Sequence, residues 1–175
     1  DLATAVQTPV FWLKVGYAAI LAISAAVAVC RLARGRPRGL LPLVLAGGVV
    51  VGFLVLGVAQ AFGAGSQPPA RPDGPSAFGC ILSIVAIATP ILLFASYGLA
   101  SIDPERPRLV GLAGGFACGA VADLVFGLHC PSATFAFIAP WHTAGMLTCG
   151  LAGVLLLGLF RRIKRPRLEE VAGEE

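Results

Sequence analysis

The chain has 175 residues, of which 57% are hydrophobic and only 13% are charged, with a formal net charge of +4 at pH 7. A soluble domain needs a larger polar fraction to cover its surface, so this composition excludes an ordinary soluble globular protein. Apolar side chains that face lipid account for the excess, and the composition therefore indicates a membrane protein.

Five apolar stretches follow one another along the chain. Each has about 20 residues, enough to cross a hydrocarbon core of about 30 Å. They cover residues 11–30, 40–62, 78–100, 109–128 and 140–160. The runs are continuous rather than alternating, which favours helices over a β-barrel. We therefore predict one all-α transmembrane helical bundle over residues 1–168, and a disordered cytoplasmic tail over 169–175.

The basic residues predict the orientation, because cytoplasmic connections carry the excess of Lys and Arg. Most of them lie in the first connection and the C-terminal segment: Arg31, Arg34, Arg36, Arg38, Arg161, Arg162, Lys164, Arg165 and Arg167. These segments are expected inside, against the lipid bilayer, and the C-terminus is expected in the cytoplasm. Five spans then leave the N-terminus outside. We expect a trimmed six-helix protein, and a five-helix protein with a cleaved leader is the alternative.

Two cysteines and two histidines are predicted to share one outward-facing layer. Cys80 lies two residues into the third span from its outer end, and His129 and Cys130 follow the fourth. His142 comes just after Pro140, in the expected first turn of the fifth span. Two thiolates and two imidazoles would complete a tetrahedral site for zinc or for a softer ion such as cadmium.

Other arrangements of these residues stay open at the level of sequence. Cys80 and Cys130 could form a disulfide, act as a reactive dithiol, or be placed independently of each other. The spacing does not decide among these alternatives, because no two of the four residues form a Cys-x-x-Cys or His-x-x-His motif.

One acidic residue, Asp123, lies inside a predicted span. Acids in the membrane are costly and usually have a function. We predict a hydrogen-bonded structural role against a polar neighbour such as Ser83, Thr89 or Thr148, and proton relay is the alternative.

Glycines recur at four-residue spacing in two of the spans. They are Gly111, Gly115 and Gly119 in the fourth span and Gly48 and Gly52 in the second. Small residues let helix backbones approach closely. Both stripes therefore predict contacts within the bundle, with a homodimer interface as the alternative.

Four motifs can be read together along the chain. They are Thr8-Pro9-Val10-Phe11-Trp12-Leu13-Lys14, Phe78-Gly-Cys80-Ile-Leu-Ser, Gly127-Leu-His129-Cys130-Pro131 and Phe137-Ile-Ala-Pro-Trp141-His142. Together they resemble the NrsF family of membrane anti-sigma factors, over nearly the whole chain. The resemblance implies a six-helix protein that holds an extracytoplasmic-function sigma factor at the bacterial inner membrane until an outer signal releases it.

The same resemblance implies roles for individual residues and partners. Cys80 and Cys130 would face the periplasm and sense oxidative or heavy-metal stress, with transient zinc or cadmium rather than a resident cofactor. The sigma factor would bind mainly through the family's N-terminal segment, which this sequence does not show, and no direct contact with nucleic acid is expected. His142 stands where the family usually has Tyr, which is a departure at one of the four expected ligands.

A membrane thiol oxidoreductase and a small transporter are the alternatives from other classes. A quinone-linked oxidoreductase would be expected to carry Cys-x-x-Cys, and a transporter to carry inverted repeats and several polar groups at the midplane. The sequence contains no phosphate loop, nucleotide fingerprint or nucleophile triad. We therefore predict that the protein is not an enzyme.

Overall fold

A computed structural model describes residues 6–36, 39–63, 77–129 and 135–172. Within these ranges the chain forms α1 (Pro9–Ala33), α2 (Leu41–Gly63), α3 (Ala77–Ile102), α4 (Pro107–Gly127) and α5 (Phe135–Ala172). Each of the five contains a stretch long and apolar enough to cross a membrane. No strand occurs in the described residues, and the prediction of an all-α bundle with five spans is confirmed.

The fifth helix differs most from its predicted span. It begins at Phe135 rather than Pro140 and continues to Ala172. Lipid offers no hydrogen-bond partners to backbone N–H and C=O groups, whereas a helix pairs these groups internally. This favours a helix that begins early in an apolar segment, even with a proline in its second turn. At the other end, Leu and Glu are good helix formers. Residues 169–172, which we expected in a disordered tail, therefore form the last turn, while 173–175 lie outside the described ranges.

The two ends of the bundle differ in chemistry. At the end that we call the histidine end, α1, α3 and α5 begin and α4 ends, with His129 in the turn that follows α4. At the opposite end, the basic end, the α1–α2 and α3–α4 turns meet the later part of α5. Gly35 and Glu105 are neighbours there, and Arg161 pairs with Asp103.

A glycine ends the first helix at the basic end. Gly35 has φ +61°, in the left-handed region that side chains with a Cβ avoid. The Gly35 N–H donates to Leu32 O at 3.2 Å, and the Arg36 N–H donates to Arg31 O at 3.0 Å. These are the two hydrogen bonds of a Schellman motif. The motif turns the chain sharply and presents Arg34 and Arg36 on the exposed turn.

Helix α4 lies at the centre of the bundle, and its glycines contact α5. A Cβ added at Gly111 would lie 2.9 Å from Gly153 O, and one at Gly119 would lie 2.9 Å from the Cβ of Cys149. Gly115 also faces the α5 backbone, at Cys149 and Gly150. The prediction that this stripe packs inside the bundle is confirmed.

The corresponding prediction for α2 is wrong. A Cβ at Gly48 or Gly52 would meet no atom within 4 Å, so these glycines lie on an open face. Spacing alone identified a stripe of small residues, but it could not say whether another helix covers it. Large apolar side chains are also widely exposed on the bundle, among them Phe62 at 85% and Phe94 at 82%. Such faces are suited to lipid rather than to water.

Candidate functional site

A buried carboxylate and a buried imidazole face each other between α4 and α5. The Nδ1 atom of His142 lies 2.6 Å from Oδ1 of Asp123, and both side chains are almost completely buried. The Phe126 ring lies beside the imidazole, with ring centroids 5.7 Å apart and the ring planes tilted by 48°. A carboxyl group and an imidazole this close, away from water, form an ion pair when the imidazole is protonated.

A second polar contact lies beside the first and joins α1 to α5. The hydroxyl oxygens of Tyr17 and Thr143 are 2.7 Å apart, and Thr143 donates to Ala139 O at 2.5 Å. A hydroxyl has one proton to donate, so Tyr17 is the donor to Thr143. The Tyr17 ring stacks on Phe53 of α2, with centroids 4.1 Å apart. The contact therefore brings three helices together.

Lys14 completes this group of residues. It lies three residues before Tyr17 on α1 and is buried, with 8% of its surface exposed. Together with Tyr17, Asp123 and His142 it lines a cavity of about 10 Å³, close to the space of one water molecule. We call Lys14, Tyr17, Asp123, His142 and Thr143 the polar cluster.

The helix lengths explain why these residues meet. Asp123 lies four residues before the end of α4, and His142 lies seven residues after the start of α5. At a rise of 1.5 Å per residue these offsets are about 6 and 10 Å from the same end of the bundle. Because α5 starts early, His142 lies in its second turn, deeper than the first-turn position that we expected. Lys14 lies at a similar depth, five residues into α1.

Two of the three predicted neighbours of Asp123 form hydrogen bonds elsewhere. Thr89 and Thr148 donate to carbonyl oxygens of their own helices, Val85 O at 2.7 Å and Ala144 O at 2.8 Å. Asp123 is held by His142 instead. A structural role for Asp123 agrees with this geometry, and the alternative of proton relay remains a hypothesis.

The cysteine layer is only partly described. Cys80 lies in the first turn of α3 and is fully buried, whereas His129 is exposed, with Nδ1 3.3 Å from Val125 O. Cys130 lies outside the described residues. Among the residues that are described, no three His, Cys, Asp or Glu side chains form a group that could hold a metal. The four-ligand site of Cys80, His129, Cys130 and His142 therefore stays a prediction.

The basic residues gather at the end opposite the polar cluster. Arg161 pairs with Asp103, and Lys164 donates to Tyr97 O at 3.1 Å while its Nζ lies 3.6 Å from the Tyr97 ring centroid. The other members lie on the α1 end, on the turn after it or on α5: Arg31, Arg34, Arg36, Arg162, Arg165 and Arg167. Arg38 lies outside the described residues. This clustering agrees with the charge pattern that we used to predict orientation.

Sequence reasoning missed Lys14, Tyr17 and Thr143 as site residues. A signal was present, because Lys14 is a charged residue inside the first apolar helix and His142 is a second polar residue near the same end. Counting depth from the helix starts would have grouped them with Asp123. Their contacts could not be inferred, since they depend on how α1 is rotated against α4 and α5.

Five apolar helices with ionisable residues buried near one end and arginines at the other define a polytopic helical membrane protein. The model of the NrsF family, described as negative regulator of sigma F, matches residues 1–162. The chain belongs to this family. This match confirms the resemblance seen in the sequence. The family is regulatory and not enzymatic, which confirms the prediction that the chain is not an enzyme.

Two curated relatives are similar to the chain over most of its length. Anti-sigma-F factor NrsF of Caulobacter vibrioides is 34% identical over 155 residues, which cover 87% of this chain and 72% of that protein. The probable anti-sigma-F factor NrsF of Azospira oryzae is 36% identical over 160 residues, covering 89% and 74%. No solved structure gives a significant match. As a member of this family, the chain is a negative regulator of a sigma factor.

Proposed function

We propose that the protein is a membrane-bound anti-sigma factor that sequesters an extracytoplasmic-function sigma factor at the bacterial inner membrane. Family membership over residues 1–162 is the observation that carries this proposal. The positive-inside rule supports an orientation in which the basic end faces the cytoplasm and the histidine end faces the periplasm. A sigma factor acts in the cytoplasm, so the basic end is the side on which it is held.

Copurification tests the partner. The tagged protein, solubilised from its native membrane in mild detergent, is expected to retain a sigma factor that mass spectrometry identifies. A retained sigma factor of another class would contradict the extracytoplasmic type, and reproducible absence of any sigma factor would contradict sequestration.

The release signal is proposed to act at Cys80 and Cys130. Metal capture by the two thiolates, or their oxidation to a disulfide, would tie the first turn of α3 to the segment that follows α4. The position of Cys80 in the first turn of α3, at the histidine end, supports this proposal, and a metal or a disulfide bond formed at this buried residue would displace its neighbours. Such a ligand would need to favour the released state by about 1–3 kcal/mol to produce a useful response.

Replacing Cys80 and Cys130 with Ser tests the sensor. We expect sigma-dependent transcription to lose its induction by cadmium, dichromate and peroxide, while repression without inducer is kept. Cys30→Ser is the matched control, because Cys30 is exposed near the basic end of α1. Induction that survives the double replacement at normal membrane abundance would contradict the sensor.

A further inference from the structure

The polar cluster joins three helices and contains no cysteine. Lys14 and Tyr17 lie on α1, Asp123 on α4, and His142 and Thr143 on α5. We propose that the polar cluster is the resting-state lock of the regulator: it holds the first turns of α1 against α4 and α5, and it opens when the sigma factor is released. This inference rests on the proposed function and concerns how the signal is coupled to it.

The two faces of α1 support this role. Lys14 and Tyr17 are 8% and 4% exposed, whereas the apolar neighbours Trp12 and Leu13 are 60% and 51% exposed. Residues three apart lie on the same face of a helix. The polar face of α1 is therefore turned into the bundle, and its apolar face is turned outward. Exposure of a Lys to lipid is costly, so α1 has a defined docked position at this end.

The charges make the docked position distinct from an undocked one. The Lys14 side chain shares its cavity with the carboxylate of Asp123 and the imidazole of His142. Movement of α1 away from α4 would separate Lys14 from Asp123 and would also break the contact between Tyr17 and Thr143. These interactions form together when α1 docks and are lost together when it moves away. Helix α1 therefore has two states, docked and undocked, that a signal can bias.

The cluster also lies next to the helix that carries Cys80. Ile84 of α3 packs tightly on Gly145 of α5, where an added Cβ would lie 2.8 Å from Ile84 Cδ1. Cys80 lies one turn before Ile84 on α3, and His142 lies three residues before Gly145 on α5. A displacement of the first turn of α3 would therefore press on α5 beside the cluster.

Hydrogen exchange of the purified protein in lipid nanodiscs tests the lock without a sigma factor or an inducer. Tyr17→Phe and Thr143→Val each remove one side of the contact between α1 and α5. We expect faster amide exchange in residues 9–17 for both variants, with no further increase when the two are combined. Thr148→Val is the matched control, because Thr148 is exposed on the same helix and its hydroxyl bonds only to the backbone of that helix.

A reporter of sigma-dependent transcription tests the link to function. At matched membrane abundance, Tyr17→Phe and Asp123→Asn are expected to raise transcription without inducer by roughly 5- to 150-fold, the usual range of such couplings. At the same matched abundance, the cadmium dose for half-maximal induction should also fall, because a weakened lock needs less bias from the ligand to open. Asp123→Asn alone leaves Lys14 without the acid in the shared cavity and is expected to lower membrane abundance. Adding Lys14→Met removes the Lys14 charge as well and is expected to restore that abundance.

The outcomes separate the lock from the proposed function. Exchange of residues 9–17 that is the same in wild type, Tyr17→Phe and Thr143→Val would overturn the lock. Faster exchange without any rise in transcription at matched abundance would also overturn it, because the contact would then be structural only. A wild-type protein that neither represses the reporter nor binds a sigma factor would instead contradict the proposed function.

Discussion

Asp123 and Asp103 show how burial decides the energetic weight of an acidic residue. Both carboxylates pair with a base on α5, Asp123 with His142 and Asp103 with Arg161. The first pair is almost completely buried, whereas the Asp103 side chain is 63% exposed. In a low dielectric the loss of one partner leaves an uncompensated charge, whereas water screens the exposed pair.

This contrast gives a prediction at the scale of a residue. Asp123→Asn is expected to lower the free energy of unfolding by about 3–5 kcal/mol, because the buried His142, and Lys14 which lines the same cavity, lose the carboxylate. Asp103→Asn is expected to cost no more than about 1 kcal/mol. Denaturant titration of the protein in detergent micelles measures both, and equal costs would contradict the role assigned to burial.

Single residues also mark the limit of sequence reasoning. Asp123 stood out because a charge in an apolar run is visible in the sequence, and its structural role stays a prediction. Its partner His142 is 19 positions away on another helix, and the pairing depends on α5 beginning at Phe135. Sequence placed His142 in one thin outer layer with His129, because Pro140 resembled a helix start.

At the scale of elements, the contact between α4 and α5 is made by backbone against backbone. Gly111 and Gly115 on α4 face Gly153 and the Cys149–Gly150 segment on α5. A side chain at either glycine would overlap atoms that belong to a main chain and cannot rotate away. The glycine spacing predicted close approach correctly here, because α4 is surrounded by other helices.

A pair of glycine substitutions tests this packing. Gly115→Ala is expected to lower the free energy of unfolding by about 1–3 kcal/mol or more, since the added methyl group would overlap the carbonyl of Cys149. Gly52→Ala adds the same group to an open position of α2 and is expected to be neutral or stabilising by up to about 1 kcal/mol. Thermal unfolding in nanodiscs compares them, and a Gly115→Ala protein as stable as Gly52→Ala would contradict the assigned contact.

At the scale of the whole molecule, the number and order of the spans followed from the sequence. Apolar runs of bilayer length are a direct consequence of the solvent, and the described helices match all five. The rotation of each helix about its axis did not follow. This rotation determines that the glycines of α4 are buried and that those of α2 are open. It also places Lys14 and Tyr17 beside Asp123 and Thr143.

The orientation of the whole molecule can be tested by labelling. With Cys30 and Cys130 replaced by Ser, we expect His129→Cys to react with a membrane-impermeant maleimide in intact spheroplasts. Arg162→Cys, at the exposed basic end of α5, should react only after the membrane is opened. Both original side chains are exposed, so burial does not confuse the comparison. The reverse pattern would place the basic end in the periplasm.

The glycine contacts also restrict the motions that are open to the bundle. Because the backbones of α4 and α5 touch at Gly111, Gly115 and Gly153, a slide of one helix along the other by a single residue would drive a side chain into a main chain. Helices α4 and α5 therefore form a rigid pair within the bundle. Helices α1, α2 and α3 carry large apolar residues on their outer faces, such as Trp12, Leu45 and Phe94, so on that side a movement of these helices displaces fluid lipid and not packed protein. In the proposed mechanism, a signal from the histidine end would therefore reach the opposite end through movement of α1, α2 or α3, and not through sliding of α4 on α5.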